Sequence, residues 1–199
     1  NGIVSIGISD IIGSGLSGIF WLYIASVIDP GDYGEIHYFL GIAGMAQICS
    51  MSGNPHALTV YSAKNENIQS TLFLLSIIPT IVSSIIIFII FTRFDTALLV
   101  IGYVIFESVN SVILGRKFYR KYAKNILIQK SLTIILGIIF FYAFGPSGII
   151  FALVLTFIPH LTIFVKEFKT TKINFSLLKN KKKFIINNYF LTISGSFGG

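Results

Sequence analysis

Apolar residues along this chain fall in blocks separated by short polar stretches, and the blocks approach the ~20 residues that a helix needs to cross a bilayer. Six such segments run from about Ile3 to Ile28, Ile36 to Met51, Thr71 to Phe91, Ala97 to Leu114, Ile126 to Phe144 and Gly148 to Val165, and a seventh begins near Phe184. The turns agree with these limits. Asp29-Pro30-Gly31-Asp32 and Gly145-Pro146-Ser147-Gly148 place proline and glycine where a helix must stop. Connections this short imply antiparallel helix hairpins. The expectation is an all-α, multi-pass membrane protein.

Composition sharpens this. The 199 residues are 54% hydrophobic and 12% charged, with a mean hydropathy of +0.82, whereas soluble domains carry about 25% charged residues. A soluble enzyme, a nucleic-acid-binding domain and a disordered tail are disfavoured. Cys49 is the single cysteine, which excludes an internal disulfide and a multi-cysteine metal site. Neither a metal nor a cofactor is expected. No charged stretch with a cleavage site precedes the first apolar block, so a removable signal peptide is not expected.

The net charge of +7 gains meaning from its placement. The first connection holds Asp29, Asp32 and Glu35 and no basic residue; the third holds Arg93; the fifth is uncharged. The second, fourth and sixth hold every other lysine and arginine, with Arg116, Lys117, Arg120, Lys121, Lys124 and Lys130 in the fourth and Lys166 to Lys183 in the sixth. Basic residues concentrate on the cytoplasmic side of membrane proteins. The split therefore places the N-terminus in the cytoplasm and supports six spans, since a missed span would scramble the alternation.

Gly115 to Lys130 has its own pattern. Phe118, Tyr122 and Ile126 recur at helical spacing opposite Lys117, Arg120, Lys121 and Lys124, which predicts a basic amphipathic helix on the inner leaflet. Arg116, Lys117, Arg120 and Lys124 are candidates for recruiting an anionic head group; a plain topology signal and surface anchor is the competing reading.

Ionisable and amide side chains within the spans are the main functional pointers, because a charge at the bilayer centre costs about 3 kcal/mol or more unless paired or hydrated. Asp10 lies in span one, Gln47 in span two, Glu107 and Asn110 in span four, and Lys130 opens span five. Asp10 and Glu107 are candidates for a cation or proton site, or for gating pairs with Lys130; interhelical hydrogen bonding is the structural alternative. His160, beside Pro159, reads as a packing or interface residue. Gly13-Ser14-Gly15-Leu16-Ser17-Gly18 predicts a bend or close approach in span one, and Pro79 a kink in span three. Ser52-Gly53-Asn54-Pro55-His56 breaks the chain after span two, at the inner membrane edge. Trp21, Tyr23, Tyr33, Tyr38 and Tyr103 suit an aromatic belt or a sugar-stacking wall.

The chain opens on Asn1 and closes as a new apolar stretch begins, as expected of a fragment of a longer protein. Residues 188–198 echo residues 9–18, both being Gly/Ser-studded entries to an apolar span, and an even number of spans between them implies a second copy in the same orientation. The motifs also resemble, in order and spacing, the N-terminal half of a polysaccharide or oligosaccharide flippase (O-antigen-transporter-like) of the multidrug/oligosaccharidyl-lipid/polysaccharide exporter superfamily. The resemblance is carried by a Gly/Ser-rich first span ending Phe20-Trp21-Leu22-Tyr23-Ile24-Ala25 and the turn Ile28-Asp29-Pro30-Gly31-Asp32-Tyr33-Gly34. It continues in the passage from Met51 to Lys64, in the basic stretch Arg116 to Lys130 and in the restart from Lys183-Phe184. Asp29 stands before Pro30 where the family often has glycine.

The resemblance implies a six-helix lobe over residues 1–166, a basic cytoplasmic linker over 167–183 and the start of a second lobe over 184–199. It also implies a plasma-membrane protein with a central cavity that turns lipid-linked saccharides from the inner to the outer leaflet by alternating access. Its expected partners are the lipid-linked saccharide, membrane lipids, H+ or Na+ as coupling ion and the second lobe of the same chain, and not nucleic acid. No covalent chemistry, hence no enzyme, is implied. A cation-coupled multidrug exporter of the same superfamily is the alternative. An integral-membrane enzyme of envelope polysaccharide synthesis is disfavoured by outer loops of a few residues.

Overall fold

A computed structural model describes residues 2–51, 53–170 and 173. Among these, the chain is helical without a strand. The helices are α1 (Gly2–Val27), α2 (Pro30–Met51), α3 (Asn54–Ala63), α4 (Gln69–Phe91), α5 (Phe94–Gly115), α6 (Tyr119–Phe144), α7 (Gly148–Leu155) and α8 (Ile158–Thr170). Five stretches, Val4–Val27, Gln69–Phe91, Phe94–Gly115, Tyr119–Phe144 and Gly148–Thr170, are long and apolar enough to cross a membrane. The helix for the expected second span, α2, is long enough, at ~1.5 Å per residue. Glu35, His37 and Gln47 dilute its apolar character, and it is not among the five. The basic linker beyond Thr170, Ile173 excepted, and the start of a second lobe over 184–199 lie outside the described residues.

Helix α5 is the hub, packing against α2, α3, α4, α6, α7 and α8. Its first half joins an apolar cluster with Phe20, Ile24, Phe39, Ile87, Ile149 and Ile150; its second half joins another with Leu58, Tyr61, Leu72, Phe73 and Phe164. Small hydroxyl residues line the seams, as is common where helices cannot use water to drive association. Ser50 on α2 meets Ser83 on α4 with their Oγ atoms 3.0 Å apart, and Thr80 Oγ1 donates to Ser76 O at 2.7 Å. With Pro79 in its interior, α4 nevertheless runs on as one helix.

The outer faces are apolar. Ile11, Ile19 and Leu22 on α1, Ile85, Ile89 and Ile90 on α4 and Ile135 and Ile139 on α6 are all exposed. A continuous apolar surface of this kind is stable against hydrocarbon rather than water.

The two ends differ in charge. At one, Arg93 pairs with Glu35 at 2.8 Å and Asp95 at 2.9 Å and lies 4.5 Å over the Phe39 ring, tying the start of α2 to the α4–α5 turn. Hydrogen bonding to Asp95 raises the Arg93 pKa against the opposing effect of burial, so this clamp stays cationic. Tyr23 and Tyr142 close the same end of α1 and α6, with hydroxyls 2.6 Å apart. The opposite end gathers the remaining basic residues of the described chain.

The local structure meets some of these expectations and changes others. Span one is one continuous helix, α1, and of the two expectations for its glycines the close approach is found, at Gly13, where a Cβ meets Ile126 at 3.2 Å and the Lys130 stem at 3.4 Å, whereas Gly15 and Gly18 have nothing within 4 Å. Span six is broken: α7 ends at Leu155, Thr156 and Phe157 form a turn, and α8 carries Pro159 in its first turn, where the missing N–H is tolerated. The break is filled by Phe157, whose ring lies in the space left by Gly102, where a Cβ would approach to 2.6 Å. The Gly115–Lys130 segment is no separate surface helix: after a turn with Lys117 at φ 60° it joins the fifth apolar segment as α6. The break after α2 is packed against the start of α4. Gly53 takes the left-handed conformation (φ 77°), and buried Asn54 donates to Leu72 O at 2.7 Å and to Ser76 Oγ at 2.6 Å, beyond the first turn of α4.

Arg116 ties the end of α5 to α8 through Glu167 at 2.8 Å, and the Glu167 side chain is 12% exposed. Arg116→Gln leaves this carboxylate without its cation, and the expected loss is about 1–3 kcal/mol of stability, read by thermal unfolding in detergent. Recovery in Arg116→Lys of part of that loss identifies the ion pair as its source.

Candidate functional site: a cleft between α6 and α3/α5

Helix α1 follows α6 closely but meets α2 near their shared turn, where Trp21 packs on His37 at 4.6 Å and on Tyr33 at 6.2 Å between ring centroids. Toward the basic end α3 and α5 form one wall and α6 the other, leaving a cavity of about 380 Å³. Pro55, His56 and Thr59 line it from α3, Phe106, Glu107, Asn110 and Ser111 from α5, and Tyr122 and Ile126 from α6. Glu107 is half-buried and His56 exposed. Asp10 is exposed on α1 and is not among the lining residues.

The cleft has a polar floor. Asn110 is 4% exposed and accepts a hydrogen bond at 3.4 Å from Asn125 Nδ2 on α6. Deeper between α6 and the α7–α8 break, Gln129 Nε2 donates to Thr133 Oγ1 at 3.2 Å and to Thr156 Oγ1 at 3.4 Å. His160 closes this seam at 2% exposure, edge-on to Phe106 at 4.8 Å, and its Nδ1 has no hydrogen-bond partner. A carboxylate at the mouth and amides behind it can hold a cation or a proton, or hydrogen-bond a hydroxylated cargo.

Of the sequence candidates, the structure brings Glu107 and Asn110 into this cleft and leaves Asp10 outside its lining. Gln47 is part-exposed on α2 and is not among the lining residues. Lys130 lies with its stem on Gly13, and no ion pair among the described residues joins it to Asp10 or Glu107. The recruiting candidates separate as well. Arg116 is taken up by Glu167, whereas Lys117, Arg120 and Lys124 are exposed. His56 and Tyr122 are the cleft residues that sequence reasoning missed. The first reads as part of a chain break and the second as part of an apolar stripe, and their meeting depends on how α3 and α6 are rotated. No group of three or more His, Cys, Asp or Glu suited to a metal occurs among the described residues.

Comparison with known proteins adds no relative: no protein-family model, no curated protein and no solved structure matches this chain.

Proposed function

We propose that this chain forms one lobe of a plasma-membrane transporter, with its basic end cytoplasmic, that turns lipid-linked oligosaccharide or polysaccharide precursors from the inner to the outer leaflet by alternating access. The observation that carries the reading is the polar cleft holding Glu107 within an array whose outer surface is apolar. A sugar head group cannot cross hydrocarbon without such a path, and intramembrane carboxylates mark transport pathways. The breaks at Gly53 and at Thr156–Phe157 add discontinuous helices, which in transporters accompany binding sites and moving parts. Transport of this kind involves no covalent chemistry.

The test is a full-length Glu107→Gln variant in the native cell. Most surface polysaccharide is expected to be lost while the protein inserts at the wild-type level. Normal polysaccharide in that variant overturns the role of Glu107.

One observation favours the cation-coupled drug exporter as a second reading. The cleft is lined by a carboxylate and a histidine and by no lysine or arginine, which suits a cationic cargo, or H+ or Na+ as coupling ion, better than a pyrophosphate. Resistance to cationic dyes on expression of the full-length protein, abolished by Glu107→Gln with polysaccharide unchanged, selects that reading.

A further inference from the structure

On the side of α6 away from the cleft, a second hollow runs along α1 at the basic end. Its volume is about 590 Å³, and its lining includes Ser5, Arg120, Lys124, Leu127, Ile128 and Leu132. At 100° per residue, Arg120, Lys124 and Leu127 face nearly opposite to the cleft residues Tyr122 and Ile126. The groove is therefore a separate site, and nothing about it depends on what the cleft carries. Its chemistry is graded along α6. Arg120 and Lys124 lie one turn apart in the first two turns, both exposed and neither in an ion pair among the described residues. Leu127, Ile128 and Leu132 continue the groove as an apolar trough, with Ile128 37% exposed. Arg120 also borders a further open hollow with Lys117 and Lys121, which extends the positive field beyond the end of the trough.

We propose that this groove holds an anionic phospholipid, its phosphate between Arg120 and Lys124 and an acyl chain along Leu127, Ile128 and Leu132. Charge complementarity selects the occupant. Neither cation has an ion-pair partner among the described residues, and both stand at the basic end of a helix long and apolar enough to cross a membrane, where a bilayer would present its phosphates. The trough beyond them is apolar and opens sideways, as an acyl chain requires. A soluble phosphate compound satisfies the cations but leaves the trough empty.

The test uses the full-length protein purified in mixed micelles containing phosphatidylglycerol or phosphatidylcholine of equal chain length, with bound lipid read by native mass spectrometry. Wild type is expected to retain phosphatidylglycerol over phosphatidylcholine. Arg120→Gln/Lys124→Gln is expected to lose that retention by about fivefold for each cation removed. Lys166→Gln/Lys169→Gln removes the same charge from exposed positions on α8 and is expected to change it little. Ile128→Asn/Leu132→Asn is expected to weaken retention with both cations in place, and unchanged helical content shows that each variant is folded. Equal loss in the α8 pair, displacement of the lipid by glycerol 1-phosphate, or no preference in wild type overturns the proposal.

Discussion

Gly115→Ala is expected to destabilise the protein by about 3 kcal/mol, at the upper end of what overpacking costs. Gly115 ends α5 where α3 crosses it. A Cβ at this position would run into the carbonyl oxygen of Thr59 and lie 2.8 Å from Ser62 Cβ. The main obstacle is backbone, so rotating a side chain gives no relief and α3 must move away from α5. That movement also strains the hydrogen bond from Thr59 Oγ1 to Ser111 O at 3.2 Å and opens the apolar cluster around Leu58 and Val112. The check is thermal unfolding in detergent beside Gly15→Ala, where a Cβ meets nothing within 4 Å. That control is expected to be neutral or stabilising by up to about 1 kcal/mol, since alanine is the better helix former. Equal effects at the two positions refute the close approach of α3 to α5.

Gly137→Leu is expected to separate α1 from α6 and to cost about 1–3 kcal/mol. Phe20 on α1 is 2% exposed and rests on this glycine, where a Cβ would come to 2.5 Å from Phe20 Cζ and 2.7 Å from Cε2. A free phenylalanine swings aside at little cost, but this ring is enclosed and packs edge-on to Trp21 at 5.0 Å between centroids. The readout is cross-linking of Tyr23→Cys to Tyr142→Cys by a short bifunctional maleimide in a Cys49→Ser background, because the two tyrosine hydroxyls are in hydrogen-bond contact in the native arrangement and the reagent spans the space the two rings vacate. Gly137→Leu is expected to slow the cross-link. Adding Phe20→Ala, which vacates the space, is expected to restore part of both stability and cross-linking, the non-additivity of two residues in contact. Additive losses rule out the contact.

The features legible in the sequence were those that a single helix carries by itself. The apolar run from Thr71 to Phe91 corresponds to most of α4, and Ala97 to Leu114 to most of α5, because removing backbone and side chains from water depends on local composition. The expected basic surface helix was half right. From Tyr119 on its residues are helical, whereas Arg116, Lys117 and Phe118 form the turn before α6, and no breaker stands between Lys124 and Ile128, so α6 continues through them. The glycines show where local reading stops. Gly13, Gly102, Gly115 and Gly137 lie against neighbouring elements, whereas Gly15 and Gly18 have nothing within 4 Å. Nothing in the surrounding residues separates the two groups, since each position depends on a partner far along the chain.

By itself the sequence determined an all-helical chain with apolar segments of membrane-crossing length and basic residues gathered at alternate connections. Hydropathy and charge are properties of each residue and add up along a segment whatever the segment packs against. Only the tertiary structure decided that Glu107 shares a cleft with His56 and Tyr122 while Gln47 stays outside it, that Arg116 is bound to Glu167, and that Arg120 and Lys124 have no ion pair among the described residues. The physical reason is that apolar faces are nearly interchangeable in hydrocarbon, which rewards no particular rotation of a helix. Rotation is set by shape: the glycine notches that admit Phe20, Phe157 and the α3 backbone, and the polar seam that must be hydrogen-bonded once buried.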